Sequence, residues 1–374
     1  MSKHIGIVTL HRSTANYGAA MQVYALWRYI SSLGYDCEVV DILRPCHSRY
    51  IYSRAFKEKQ SGIIRRVVKV FKGLSKKNRK QNKRMQLFSE FHQQIKYSRE
   101  YRSLHDLYNA PPQYDVYVTG SDQVWNPNMP FYSGVYFWDF IKREVHKISY
   151  AASFGVDVIP ESCWQNYRSW LNTYQSLSVR EVSGVDIIRQ LTGRDSFVVL
   201  DPVFLFSKKE WIQCERIYKN LPEHYVFLYL VRYDASLAEK SLRFAFDNHL
   251  PLYVVLSQRS MIKDKRFKLI ENAGPYEWLY LINHADYVLT DSFHGTSFAI
   301  IMEKPFVTFV NPLKQTNCRI NTILGSLNLE NQIVWSNSKS EIMPEHFLYN
   351  KKAFAAVLDT LINTSKQYLV GALE

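Results

Sequence analysis

The sequence predicts an α/β protein of two Rossmann-like domains facing a cleft. Three observations carry this. Short apolar runs of the buried parallel-strand type alternate with helical stretches along the chain. A length of 374 residues is more than one compact core needs and suits two. A hydrophobic content of 47%, with Trp, Tyr and Phe spread throughout, belongs to a folded globular chain rather than a disordered one.

The first half opens as β-α-β. Ile5–Leu10 is an apolar strand, His11–Tyr17 a polar loop, and Gly18–Leu26 the start of a helix with small residues at its head. Met21, Tyr24, Ala25 and Ile30 form one face of that helix, Gly34 stops it, and Cys37–Asp41 is the next strand. Asn16, Tyr17 and Gly18 stand at the strand-to-helix turn, where such folds bind ligands. The turn is not GxGxxG, so a dinucleotide site is unsupported.

Tyr114–Thr119 reads as a strand ending at Gly120, which permits close backbone approach. Ser121, Asp122 and Gln123 then offer hydroxyl, carboxylate and amide groups at the strand's C-terminal edge. Trp125 suits either stacking on a sugar or packing in the core. Lys147–Gly155 is a further strand with a small-residue exit. Ser176–Glu181 and Phe197–Pro202 bracket a helix near Val185–Leu191. Asp201-Pro202 marks the end of the first domain, giving an N-terminal domain over 1–205 and a C-terminal domain over 206–374.

The second domain repeats the pattern with strands at Tyr225–Val231 and Leu252–Leu256 and a helix near Leu237–Asn248 between them. Pro275–Ile282 is a short helix with proline in its first turn. Ala285–Leu289 is a buried strand running into Asp291 and Ser292, which suit a helix N-terminus, and then into His294-Gly295-Thr296-Ser297. Helix N-termini attract anions, and a histidine there can donate a proton or bind an anionic group. The strand Pro305–Val310, a helix from Arg319 to Leu324 and a last helix over Lys351–Lys366 complete the domain; the last helix is free to pack back on the N-terminal domain.

The net charge of +13 is local. Arg54 to Arg102 holds 16 Lys or Arg against 3 Asp or Glu, a net of +13, so the remainder is neutral with 31 of each sign. Within this insert Ile63, Ile64, Val67, Val68, Phe71 and Leu74 recur at helical spacing between basic residues. Such a helix suits either an anionic membrane surface or packing with a solvated charged face. No nucleic-acid-binding module is visible, and no nucleic-acid partner is expected. No apolar run approaches the roughly 20 residues that span a bilayer. Met1–His4 runs straight into the first strand, so a cytoplasmic location is expected, with peripheral attachment at the inner face of the membrane if the insert binds lipid. Five scattered cysteines without a CxxC pair indicate neither a zinc site nor a disulfide framework.

Read together, Asn16-Tyr17-Gly18-Ala19, Thr119–Trp125, Ser178-Val179-Arg180-Glu181, Asp201-Pro202 and Thr290–Gly295 occur in the order and spacing of a known family. The chain resembles the polysaccharide pyruvyl transferases over about Ile5 to Leu329. The resemblance implies a fold like that of the GT-B glycosyltransferases. It also implies transfer of a carboxyethylidene group from phosphoenolpyruvate to two hydroxyls of a cell-surface or exopolysaccharide sugar, forming a pyruvate ketal. Phosphoenolpyruvate is then a co-substrate, with no further cofactor and no metal, and the acceptor is a saccharide that can be lipid-linked. The donor is expected against the C-terminal domain near Asp291–Gly295. The acceptor is expected against Asn16, Tyr17, Gly18, Ser121, Gln123 and Trp125.

A donor with a carboxylate and a phosphate requires cations and N–H groups. Ser292 and Gly295 open the helix that supplies the N–H groups. Arg180 matches a family motif, Arg319 matches it more loosely, and Arg232 is a candidate by its position after a strand. His294 is the expected general acid. Asp122 is either the general base for the acceptor hydroxyl or a hydrogen-bonding group. One departure stands out: some members carry an arginine two residues before the histidine, where this chain has Ser292. Two other readings remain: a nucleotide-sugar glycosyltransferase on the same architecture, and a non-catalytic glycan-binding relative.

Overall fold

The computed structural model describes residues 2–11, 15–44, 49–51, 79–129, 134–258, 264–312, 317–336 and 341–374. The first domain is built on β1 (His4–Val8), β2 (Asp36–Ile42), β3 (Tyr97–Tyr101), β4 (Val116–Thr119) and β5 (His146–Ser149), in the spatial order β3-β2-β1-β4-β5. Every pairing is parallel, with Ile5 opposite Cys37 on one side and Val116 on the other. Its helices are α1 (Tyr17–Ser32), α2 (Arg79–His92), α3 (Leu104–Asn109) and α4 (Trp164–Leu171). A small pair, β6 (Ser178–Val179) and β7 (Phe197–Val198), flanks α5 (Val182–Thr192).

A short helix, α6 (Lys208–Ile212), leads to the second sheet. This contains β8 (Val226–Leu230), β9 (Leu252–Leu256), β10 (Lys268–Ile270), β11 (Tyr287–Thr290), β12 (Phe306–Val310) and β13 (Ile333–Trp335), in the order β10-β9-β8-β11-β12-β13. It is also wholly parallel. Its helices are α7 (Ala235–Asp247), α8 (Pro275–Asn283), α9 (Phe293–Ile301), α10 (Cys318–Ser326) and α11 (Lys351–Leu373). In both sheets the strand order reverses about the first strand, between β1 and β4 and between β8 and β11. Those switch points open a crevice beyond the strands' C-terminal ends.

α1 shows why the two domains lock together. Asn16 caps it, its side chain accepting from Ala19 N, and Gly34 ends the turn beyond it with φ +91°. The sequence suggests one apolar face, yet every residue from Tyr17 to Leu26 is buried. Tyr17 crosses to the second domain: its hydroxyl donates to Ala273 O (2.8 Å) and its ring stacks on Trp278 at 5.2 Å. One continuous apolar core joins residues of both sheets. Gln22, buried among them, donates to Thr9 Oγ1 and Leu10 O and so fixes the loop leaving β1.

The last helix is longer than its sequence pattern and lies against the first domain. Tyr368 Oη donates to Ser149 O, Leu200 N to Ser365 Oγ, and Lys3 Nζ to Leu373 O.

The helix read over Ile63–Leu74 lies outside the described residues, as does most of the basic insert. Its C-terminal part is held by the protein itself. Arg84 on α2 donates to Ala15 O (3.0 Å) and Leu256 O (2.8 Å) and stands over the Tyr17 ring. Lys96, Arg99 and Arg102 are paired with Asp36, Asp106 and Glu100. Tyr97–Tyr101, inside this insert, is an edge strand of the sheet. Among the described residues no helix is long and apolar enough to cross a membrane. No group of His, Cys, Asp and Glu there could hold a metal.

Candidate functional site

Three segments leave their sheets at the facing switch points: Asn16–Gly18 after β1, Gly120–Gln123 after β4 and Asp291–Gly295 after β11. They meet around His294. A Cβ on Gly18 would stand 2.1 Å from His294 Nδ1, so a side chain there would displace the imidazole. His294 Nε2 stands 3.6 Å from Asp201 Oδ2 and makes no hydrogen bond, although the side chain is only 9% exposed.

Asp122 turns into this space from a left-handed backbone, φ 73°, a conformation that aspartate tolerates better than most residues. Its carbonyl accepts from Val124 N and Ser153 N, which hold the turn. Its carboxylate takes Arg180 Nη2 at 3.4 Å and lies 3.9 Å from Arg319 Nη1. Arg180 Nη1 also donates to Asp201 Oδ2 and, at 3.3 Å, to Ser121 Oγ; Ser121 in turn donates to Asp201 (2.8 Å). Both guanidiniums lie over the Phe293 ring, Arg180 at 4.4 Å and Arg319 at 5.6 Å from its centre. The Nε atoms of both arginines are buried without a hydrogen-bond partner.

The charges are strongly coupled. Burial pushes the Asp201 carboxyl up, but Arg180 and then His294 overcome it, holding the group well below the usual carboxylate range. Asp122 follows the same pattern: burial raises its pKa, and Arg180, His294 and Arg319 bring it down to a net decrease. The two cations part company. Burial disfavours charge on Arg180, but Asp201, Asp122 and Glu181 more than compensate, and its pKa rises. Burial and the neighbouring Arg180 together leave the Arg319 pKa lowered despite Asp122.

The helix start at Ser292 is a true cap, its Oγ accepting from Gly295 N (3.3 Å), so that hydroxyl is already engaged. The first N–H groups of α9, at Phe293 and His294, lack intrahelical partners by geometry. Gly295 meets a packing need: a Cβ there would stand 2.3 Å from Thr290 Oγ1. A cavity of about 40 Å³ adjoins Arg180, Asp201 and Phe293, with Thr322, Ser326 and Ser365 on its wall.

Of the residues singled out in the sequence, Gly18, Ser121, Asp122, Arg180, His294 and Arg319 converge here. Asn16 and Gln123 lie on the same loops, Asn16 as the cap of α1 and Gln123 accepting from Asn126 Nδ2 while its amide group lies against Gly155. Three others differ from expectation. Trp125 is fully buried and stacks on Phe137 at 5.2 Å, so it packs rather than offering a face to a sugar. Tyr17 is fully buried in the interdomain core. Arg232 is exposed and donates to Gln258 Oε1 (2.7 Å), outside the arginine–aspartate cluster. Sequence reasoning missed the role of Asp201, read as a domain-end marker, although it is the carboxylate that organises Ser121, Arg180 and His294. Phe293, the platform for both arginines, and Glu181 were also passed over.

Solved structures of similar fold share little sequence with this chain. A putative UDP-N-acetylglucosamine 2-epimerase from Listeria monocytogenes is 9% identical with a TM-score of 0.51, covering 98% of this chain and 90% of that one. The UDP-GlcNAc 2-epimerase of Methanocaldococcus jannaschii is 13% identical with a TM-score of 0.47, covering 97% and 100%. Arabidopsis thaliana UGT89C1 is 12% identical with a TM-score of 0.46, covering 99% and 94%. The fold is GT-B, two facing domains with parallel sheets. No curated protein sequence matches the chain. The model of the polysaccharide pyruvyl transferases matches residues 16–312, a span that contains Gly18, Asp122, Arg180, Asp201 and His294. The chain belongs to the polysaccharide pyruvyl transferase family.

Proposed function

We propose that the protein transfers a pyruvyl group from phosphoenolpyruvate to two hydroxyls of a saccharide, forming a pyruvate ketal. The observation that carries this reading is the pair of buried guanidiniums, Arg180 and Arg319, whose Nε atoms lack partners, beside a histidine whose Nε2 makes no hydrogen bond and stands 3.6 Å from Asp201. Donors left unsatisfied in a buried site suit an anionic ligand. The amides at the start of α9 add to the same demand.

His294 delivers a proton to the methylene carbon of the enol, turning it into the methyl group and making C2 electrophilic. A first sugar hydroxyl attacks C2. Phosphate leaves with the C2–O bond electrons, its charge balanced by the arginines. The second hydroxyl then closes the ketal at C2. Of the two hydroxyl protons, one replaces the proton spent by His294 and the other leaves with phosphate.

Asp122 as it stands is a weak base, because Arg180, His294 and Arg319 hold its proton affinity down. An anion that draws Arg319 toward itself relieves Asp122 of that neighbour and raises its basicity as the acceptor hydroxyl needs it.

Incubation with phosphoenolpyruvate and saccharides in deuterated water tests this. Saccharide-dependent phosphate release is expected, with deuterium in the ketal methyl group. His294→Ala is expected to slow release by about 10²–10⁴-fold while the protein stays folded. Turnover of a nucleotide sugar, with none of phosphoenolpyruvate, would overturn the reading.

A further inference from the structure

Arg84 sits on α2, at the end of the basic insert, and its guanidinium reaches into the seam between the domains. Nη1 donates to Leu256 O (2.8 Å), and Nη2 donates to Ala15 O (3.0 Å) and Ser257 O (3.3 Å). Leu256 ends β9 in the second domain, and Ala15 precedes the cap of α1 in the first. One planar fork therefore ties the C-terminal end of a strand in one sheet to the loop after β1 in the other. The guanidinium carbon stands 4.9 Å from the centre of the Tyr17 ring.

All three acceptors are backbone carbonyls, and among the described residues Arg84 forms no ion pair. Lys96, Arg99 and Arg102, from the same insert, are paired with carboxylates. A cation meant for solvent or a lipid surface keeps its head outward, whereas this one is turned onto fixed backbone oxygens. The rest of α2 packs the same way. Glu90 pairs with Arg216 at 2.6 Å, the rings of Phe91 and Tyr276 stand 5.0 Å apart, and a Cβ on Gly274 would lie 2.5 Å from Leu87 Cβ. The helix is a strut between the two domains.

The loop held in this way leads to the site. Asn16 caps α1, and Tyr17 Oη donates to Ala273 O. Gly18 stands against the imidazole of His294, where a Cβ would fall 2.1 Å from Nδ1. Only Asn16 and Tyr17 separate Ala15 from Gly18, and both are fixed by their own contacts. A shift of the Ala15 carbonyl is therefore passed along the chain to the wall behind His294.

We propose that Arg84 is a positioning residue for His294: by fastening Ala15 O to the end of β9, it holds Gly18 against the imidazole. Arg84 itself touches no reacting atom. Its catalytic meaning rests on the reading of His294 as the acid given above, and its hold on the imidazole can be measured without turnover.

Arg84→Lys keeps the charge and the stem but loses the fork, while Lys83→Ala removes an exposed charge one residue earlier on α2. Two readouts are compared with wild type. One is the imidazole NMR signal that disappears in His294→Ala. The other is kcat and KM with phosphoenolpyruvate and saccharides. Arg84→Lys is expected to move the His294 signal and to lower kcat by about 10- to 10²-fold, with KM for phosphoenolpyruvate unchanged. Lys83→Ala is expected to change neither readout. An unmoved His294 signal in Arg84→Lys, or an unchanged kcat in an active enzyme, overturns the proposal. A raised KM at constant kcat also overturns it, by making Arg84 a donor contact. Equal losses in Lys83→Ala overturn it as well, by making Arg84 only part of the insert's charge. A wild type that does not turn over phosphoenolpyruvate, but whose His294 signal moves in Arg84→Lys alone, sinks the donor reading and leaves the positioning role standing. If Arg84→Lys does not fold, Arg84→Gln carries the same comparison, with the same outcomes.

Discussion

Arg180 and Arg319 lie over the same phenylalanine and share one aspartate, but they are built differently. Arg180 is tied down: both of its terminal nitrogens are engaged, by Asp201, Ser121 and Asp122, and the surrounding carboxylates raise its pKa. Arg319 has one long contact to Asp122 at 3.9 Å, and its pKa is lowered. The first is the cation around which the interior of the site is assembled. The second carries a charge that the protein satisfies poorly by itself. A site for an anion needs both: one cation that sets the geometry and one with unspent capacity.

The largest expected effect comes from breaking the anchored side. Arg180→Ala leaves Asp201 and Asp122 buried without their main partner and should cost about 3–5 kcal/mol in urea denaturation. Adding Asp201→Asn should recover part of that loss. Arg319→Ala should cost only about 1–2 kcal/mol of stability while removing the thermal shift produced by phosphoenolpyruvate. Equal stability losses in the two variants would erase the distinction between the arginines.

Gly18→Ala probes the other wall of the site. The added methyl would fall on the His294 ring, and a displacement of this size should lower turnover by about 10²-fold. Circular dichroism should show the fold retained, since Gly18 needs no left-handed backbone.

The acid limit of stability should follow the anchored side. Asp201 and Asp122 have depressed pKa values in the folded state, so the unfolded chain binds their protons more readily. Their stabilising contribution is therefore present above the ordinary aspartate range, about pH 4, and is lost as pH falls through the lower folded values. Melting temperature against pH should fall more steeply below about pH 4 in wild type than in Asp201→Asn. Parallel curves would show that Asp201 carries no linked proton.

Arg232→Ala should have the smallest effect. The residue is exposed and bonded to Gln258, so turnover and stability should stay within about 0.5 kcal/mol of wild type.

The fold was legible where strands are buried on both faces. Leu252–Leu256 carries the full apolar run of a central parallel strand, and its limits match the pattern. The edge strands were not legible. Tyr97–Tyr101 is half polar because one side of an edge strand faces solvent, and Lys268–Ile270 and Ile333–Trp335 are too short to show a period. Asp122 and His294 could be read because polar residues at the C-terminal end of an apolar strand stand out. Trp125 and Tyr17 misled because an aromatic residue beside a polar motif looks the same whether it stacks on a ligand or fills a core. Arg232 misled because following a strand fixes a residue's place in the chain and not the direction of its side chain. Asp201 and Glu181 escaped because their partners are distant in sequence: Ser121 lies 80 residues from Asp201, and Ser153 lies 28 from Glu181.

A crystal structure soaked with phosphoenolpyruvate tests the central claim most directly. The expected result is the ligand's anionic groups on Arg319 and Arg180, with its methylene carbon facing His294 Nε2. A ligand seated away from both arginines, or with its enol turned from the histidine, would contradict it.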